Sequence, residues 1–147
     1  DVHQVAAHPS LGGCVLVASA RGLGISFDGG TSWSFTRDGL HSPYARAVAI
    51  ADDTLLLSAS DGPFGGRAAL YRREVDSEGP LERIHAGLPE WFGGNIDSGC
   101  VAATGSDVAF GTAEGGVYVS TDSGVRWSEA AIGLPPIRAV AVGFRGP

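Results

Sequence analysis

The 147-residue sequence has no methionine, only two cysteines and no long apolar run. A run of about 18 apolar residues or more is needed to span a bilayer, so the sequence predicts a protein without a membrane-spanning helix. Its 10 basic residues form no block and its net charge is −6, which argues against nucleic acid as the main partner. Because the sequence starts at Asp1, we expect a processed chain or a piece of a longer soluble protein, either cytoplasmic or exported.

The two cysteines, Cys14 and Cys100, both lie among apolar residues. This setting favours two buried free thiols, and a disulfide between them is the alternative. Neither cysteine has the neighbours that a zinc site requires, so we predict no metal and no cofactor.

The sequence is rich in what builds short strands and turns. Its 23 glycines fall between short segments of valine, isoleucine, leucine and alanine, and no segment shows a helical period. The tripeptides DGL, AGL and IGL place Gly39, Gly87 and Gly133 about 47 residues apart, and four strands in that length are typical of a β-propeller blade. The sequence therefore predicts an all-β protein, a β-propeller fragment of three four-stranded antiparallel blades.

The repeat also predicts boundaries. Blade 1 spans about residues 2–40, blade 2 about 44–88 and blade 3 about 95–134, and residues 137–142 form one extra inner strand of a further blade. Because propellers close with about four to eight blades, we expect the C-terminal half of a six- or seven-bladed ring. Either a missing N-terminal half or another copy of the protein would close it.

One eight-residue pattern, Ser-x-Asp-x-Gly-x-x-Trp, occurs twice between the expected third and fourth strands. Aspartate and glycine there provide turn chemistry. Copies on different blades could not converge on one substrate, so we predict a structural role rather than a catalytic one. The eight positions are Ser26, Asp28, Gly30 and Trp33 in the first copy and Ser120, Asp122, Gly124 and Trp127 in the second.

This pattern resembles the Asp-box of BNR-repeat propellers. The middle repeat retains only Glu74 or Asp76 and, in place of tryptophan, Leu81. Asp-boxes are found in sialidases, sortilin-type receptors, xyloglucan-active glycoside hydrolases and photosystem assembly factors. The resemblance implies a propeller but does not identify an activity.

Candidate ligand-binding residues lie in loops expected on one face of the ring, at 41–44, 61–67, 89–99 and 113–116. In the loop 89–99, Trp91 either stacks on a sugar ring, with Asn95 and Asp97 bonding its hydroxyls, or fills the space between blades.

Arg46 and Arg138 begin equivalent inner strands, and His3 takes the same place in the first repeat. These cations either hold an anion together or pair with acidic loop residues.

No catalytic residue is predicted. The Arg-Ile-Pro signature of sialidases is absent, and no carboxylate pair marks a glycosidase. We therefore expect a non-catalytic scaffold or binding module for a carbohydrate or protein ligand. The alternative is part of a glycosidase-like propeller whose catalytic residues lie mainly in a missing N-terminal half.

Overall fold

A computed structural model describes residues 1–143, and within them it contains twelve β-strands and no helix. The first sheet holds β1 (Val2–Ala7), β2 (Val15–Ser19), β3 (Gly22–Ser26) and β4 (Ser34–Thr36). The second holds β5 (Tyr44–Ala51), β6 (Thr54–Ser60), β7 (Ala69–Glu74) and β8 (Glu82–Arg83). The third holds β9 (Val101–Thr104), β10 (Asp107–Gly111), β11 (Val117–Ser120) and β12 (Ser128–Ala131).

Each sheet has four strands that pair antiparallel in sequence order. The all-β class and the three four-stranded antiparallel blades are therefore confirmed. Because consecutive residues of a strand point to opposite faces, each sheet can pack on two neighbours.

The expected inner strand at residues 137–142 stays a prediction, because this segment forms no strand within residues 1–143 and its expected partner is a further blade. The segment lies beside the third sheet, where the Ile137 amide donates to the Thr112 carbonyl at 3.0 Å and the Val140 amide donates to that of Gly99 at 2.9 Å. A strand needs a continuous ladder with a neighbour. Within residues 1–143, no further strand lies beside this segment to supply one.

The second sheet lies between the other two and carries the apolar contacts of both. Its odd-numbered β6 residues Leu55 and Leu57 pack with Leu16 and Leu23 of the first sheet. Leu56 faces the other way, into a cluster with Val108, Phe110 and Trp127 of the third sheet. The unbroken apolar run of β6 thus reflects burial on both faces.

The Gly-Leu turns that define the repeat join consecutive sheets. The Trp127 amide of the third sheet donates to the carbonyl of Ala86, which precedes Gly87, at 3.1 Å. A Cβ atom on Gly87 would lie well under 3.0 Å from the Trp127 carbonyl oxygen. Gly87 also has φ +84°, a conformation that side chains disfavour. Glycine is thus required here by both the backbone conformation and the approach of the next sheet.

The same joint links the first two sheets. The Leu81 amide donates to the Asp38 carbonyl at 2.8 Å, and Gly39 lies against the Leu81 backbone. Leu81 therefore takes the place in the second repeat that Trp127 takes in the third. At the equivalent Gly133, a Cβ atom would meet nothing within 4 Å among the described residues.

The outer face of the first sheet is open where the matching face of the third is covered. Trp33 is 38% exposed to solvent. Trp127, which packs against the second sheet, is only 6% exposed. Val5 and Phe35 lie on the same sheet and are each more than half exposed, unlike Trp33. Trp33 of the first sheet is thus exposed at the position where Trp127 of the third sheet packs against the second.

Candidate functional site

The loops between strands divide between two faces of the molecule. The loops that follow β4, β6, β8 and β10 contact one another and form what we call the loop face. Gly66 in the loop after β6 donates its amide to the Gly93 carbonyl at 2.8 Å, and Ala68 and Phe92 bond to each other reciprocally. The amide of Gly94 donates to Glu114 Oε1, in the loop after β10, at 2.6 Å. Loops of the second and third sheets are thus connected into one surface.

The turns Ser26–Trp33 and Ser120–Trp127, here called box turns, lie on the opposite face. In the first, Ser26 Oγ donates to Asp28 Oδ1 at 2.8 Å and accepts the Gly30 amide at 2.8 Å. Asp28 also accepts the amide and the hydroxyl of Ser32, at 2.8 and 2.6 Å. These hydrogen bonds, led by the Ser32 hydroxyl, lower the pKa of Asp28 to about 2.

The second box turn repeats this geometry with one difference. Ser120 Oγ donates to Asp122 Oδ1 at 2.8 Å and accepts the Gly124 amide at 3.0 Å. Arg126 replaces the serine and donates its backbone amide and Nε to the Asp122 carboxylate, which lowers the pKa of Asp122 to about 2. Within residues 1–143, the aspartate of each turn thus accepts hydrogen bonds only from residues of its own turn, and the structural role of these turns stays a prediction.

Arg46 meets an acidic loop residue rather than a second cation. Its Nε and Nη2 donate to Asp97 Oδ1 at 2.8 and 2.6 Å, and Ser98 Oγ donates to the Arg46 carbonyl. His3 Nδ1 donates to the Ala45 carbonyl at 2.6 Å. In this structure, Arg46 therefore pairs with the acidic loop residue Asp97.

Arg138 is exposed in the segment 137–142. Among residues 1–143 it has no carboxylate partner within 4.0 Å and no hydrogen bond to Arg46.

The loop 89–99 is held at several points. Asn95 Nδ2 donates to the carbonyls of Gly62 and Pro63 at 3.3 and 3.2 Å, and its Oδ1 accepts the Ser60 hydroxyl. Phe92 is buried and packs edge-on against Phe110, with ring centroids 5.6 Å apart. Phe92 thus fills space between the second and third sheets, and the Asn95 amide is occupied by the neighbouring loop.

Trp91 lies in a cluster that the sequence did not reveal. The guanidinium carbon of Arg83 is 4.1 Å from the centroid of its ring, and that of Arg67 is 5.5 Å away. The ring of His41 packs at 4.7 Å and at 54° to the indole. We call these residues, with Asp61, the rim cluster. Two guanidinium groups and an imidazole thus already pack on the indole.

The loops at 41–44 and 61–67 marked part of this cluster in the sequence, but Arg83 carried no signal. It pairs opposite Tyr71 in the ladder of β7 and β8. That register, which sequence alone does not give, places its side chain beside the loop that holds Trp91.

Burial of His41 in this cluster favours its uncharged form. Burial lowers the pKa of His41, and a hydrogen bond to the Arg67 carbonyl opposes that effect in part. Its Nε2 donates to the Arg67 carbonyl at 2.7 Å, and its Nδ1 accepts the Tyr71 hydroxyl at 2.5 Å. The imidazole thus connects the loop after β4 to strand β7 and to the loop after β6.

A small cavity of about 180 Å³ opens beside the cluster, between the loop 89–99 and the third sheet. Trp91, Phe92, Glu114 and Tyr118 contribute to its walls. Drug-sized ligands usually occupy cavities of about 300 Å³ or more, so this one would admit only a single side chain or a small group.

Neither a metal site nor a disulfide is seen in the described part of the molecule. Residues 1–143 contain no group of three histidine, cysteine or acidic side chains placed to hold a metal ion. Cys14 and Cys100 are free and buried, and burial raises the pKa of both thiols. Nor does this range contain a helix long and apolar enough to cross a membrane.

Comparison with known proteins identifies the fold but no family. No protein-family model matches the sequence, and no curated protein matches it. Among solved structures, YCF48 from Cyanidioschyzon merolae is similar with a TM-score of 0.59 and 16% identity, over 87% of this chain. Membership of the Asp-box family stays a prediction.

Two further structures are similar at the same level. An ancestral GH74 enzyme matches 88% of this chain with a TM-score of 0.62 and 18% identity. YCF48 bound to D1 peptide matches 90% with a TM-score of 0.60 and 18% identity. The chain spans 39% and 41% of the two YCF48 chains and 18% of the enzyme. These neighbours are propeller proteins, so the chain has the β-propeller fold.

Proposed function

We propose that these three sheets are blades of a larger β-propeller ring that binds a protein partner through its loop face and catalyses no reaction. The observation that carries this proposal is the network that fixes the loops after β6, β8 and β10 to one another. Loops held in place before binding lose little conformational entropy when a partner docks. Functional residues commonly lie on loops that a rigid scaffold positions.

An exposed aromatic residue supports a protein partner. Phe64 lies at the tip of the loop after β6 and is fully exposed, at 101% of its reference area. The Asn95 bonds to Gly62 and Pro63 hold this tip in place. Aromatic residues are enriched where protein interfaces are buried. YCF48, which has a similar fold, has been solved with a peptide bound.

The open outer face of the first sheet supports the larger ring. Trp33, Val5 and Phe35 expose apolar area there, and an additional blade would cover it as the second sheet covers Trp127. Either further blades of the same polypeptide or blades of another copy could cover this apolar face.

The test is selection of binders from a random peptide library displayed on phage, followed by affinity measurement on two matched variants. Phe64→Ser removes an exposed apolar side chain from the loop face, and Val125→Ser removes one from a box turn on the opposite face. We expect the selected peptides to lose about tenfold or more in affinity with the first variant only. Equal effects of both variants would contradict the proposal.

A glycoside-active ring is the alternative, supported by the similarity to an ancestral GH74 enzyme. The same protein is incubated with a panel of β-glucans, and reducing ends are measured over time. Release of sugar that survives repurification would replace the binding proposal with a catalytic one.

A further inference from the structure

Arg83 is a charged group whose hydrogen-bond donors have no partner. Its guanidinium lies 4.1 Å from the centre of the Trp91 ring. A guanidinium stacked on an aromatic ring uses its flat face, so its N–H groups point outward in the plane and stay available. Within residues 1–143, no carboxylate lies within 4.0 Å of Arg83 and no acceptor bonds to its side chain.

The second cation on the same ring is already neutralised. Arg67 Nε and Nη2 donate to the two oxygens of Asp61 at 3.2 and 3.0 Å. Both ring nitrogens of His41 are hydrogen-bonded, and burial lowers the pKa of its imidazole. Among the residues of the rim cluster, the one uncompensated charge is therefore on Arg83.

The surroundings of Arg83 are fixed before any ligand arrives. Trp91 belongs to the loop that Asn95 and Phe92 hold against its neighbours, and His41 packs on the same indole at 4.7 Å. The Arg83 side chain is partly buried, and its stem lies opposite Tyr71. A guanidinium that is held over an indole ring and partly shielded from water binds an anion more strongly than a free surface arginine does.

We propose that Arg83, stacked on Trp91, receives a carboxylate from an acidic segment of the protein partner. A planar carboxylate matches two parallel N–H groups of a guanidinium, and two such bonds fix its orientation. The net charge of −6 repels an acidic partner elsewhere on the surface, so this local cation would set where the segment docks. This inference rests on the proposed function, because it names the chemistry that the loop face recognises.

The carboxylate could belong to an acidic side chain or to the C-terminus of a polypeptide. Three peptides distinguish these two cases. One fluorescein-labelled peptide has a central glutamate between two phenylalanines and an amidated C-terminus. A second has glutamine in place of glutamate, and a third has glutamine and a free C-terminal carboxylate. Binding to the full-length protein is followed by fluorescence anisotropy.

We expect the glutamate peptide to bind the wild-type protein about tenfold more tightly than its amidated glutamine counterpart, as a charge-assisted hydrogen bond would provide. Arg83→Met, which keeps the apolar stem over Trp91, should abolish this ratio. Arg83→Lys keeps the charge but not the paired donors and should retain only part of it. Arg21→Ala removes an exposed arginine from the β2–β3 turn, at the loop-face end of the first sheet, and should leave the ratio unchanged.

Three results would overturn the proposal. These are a glutamate preference that survives Arg83→Met, an equal loss with Arg21→Ala, and competition by inorganic phosphate at lower concentration than acetate. If the free C-terminus alone confers tighter binding, the carboxylate comes from the end of a polypeptide and the assignment to Arg83 stands. If all peptides bind equally and Phe64→Ser weakens them, the loop face binds but this inference is wrong. Circular dichroism and melting of each variant show whether the fold is retained.

Discussion

Replacing one of two equivalent glycines tests the joint between consecutive sheets. Gly87 and Gly133 both end a repeat with positive φ, at +84° and +74°. Gly87 lies against the Trp127 backbone, whereas Gly133 meets nothing within 4 Å among the described residues. The substitutions Gly87→Ala and Gly133→Ala therefore introduce the same backbone strain, and only the first also disturbs an inter-sheet contact.

The two substitutions should differ clearly in free energy of unfolding. Alanine in a left-handed conformation costs about 1 kcal/mol at either site. At Gly87 the added methyl also overpacks the joint, which costs about 1–3 kcal/mol. Displacing the Trp127 amide from the Ala86 carbonyl adds about 1 kcal/mol more. We expect Gly87→Ala to be less stable than Gly133→Ala by about 2–4 kcal/mol.

Urea denaturation followed by tryptophan fluorescence and by far-UV circular dichroism gives both values. The slope with denaturant should match between the two variants, so that the midpoints report stability. Gly39→Ala, which meets the Leu81 backbone, should behave like Gly87→Ala. Equal losses at Gly87 and Gly133, within about 0.5 kcal/mol, would refute the view that these turns join the sheets.

The remaining predictions concern the box turns and the thiols. Trp127→Ala should cost about 3–5 kcal/mol because its ring is buried, and Trp33→Ala about 1 kcal/mol because its ring is partly exposed; similar losses in urea denaturation would contradict the packing. Folding lowers the pKa of Asp122 from 3.8 to about 2. Its carboxylate therefore contributes fully to stability above pH 3.8, and this contribution is lost as the pH falls toward about 2. Asp122→Asn should flatten that part of a melting-temperature profile, and an unchanged profile would remove the role assigned to its hydrogen bonds. Cys14 and Cys100 should react with a thiol reagent at pH 8 only after denaturation, and rapid labelling of native protein would show that they are accessible.

The box turns could be read from the sequence almost completely. Ser26, Asp28 and Gly30 bond to one another across at most four residues, so the geometry follows from local turn chemistry. The four-strand repeat was also predictable, because strand length, turn residues and the glycine spacing are all local properties. The fold class follows from repeating such a unit.

The extra strand at residues 137–142 stays a prediction, because the segment has no strand partner within residues 1–143. Its small apolar residues match those of β5, but strand formation depends on a neighbour that provides a ladder. Amino-acid composition shows that a segment is able to form a strand, but whether it does so depends on the presence of a neighbouring strand.

The candidate site shows the limit most clearly. The sequence marked Trp91, Asn95 and Asp97 as a possible sugar site, but the fold brings Asp97 to Arg46 and Asn95 to the loop after β6. It brings Arg83, from a strand with no recognisable motif, onto Trp91. Local hydrogen bonds and the period of the repeat determined the blades and their turns, because those depend on residues close together in the sequence. Strand register and the packing of one sheet on the next decided which side chains meet on the loop face, because those contacts join residues from different loops and strands.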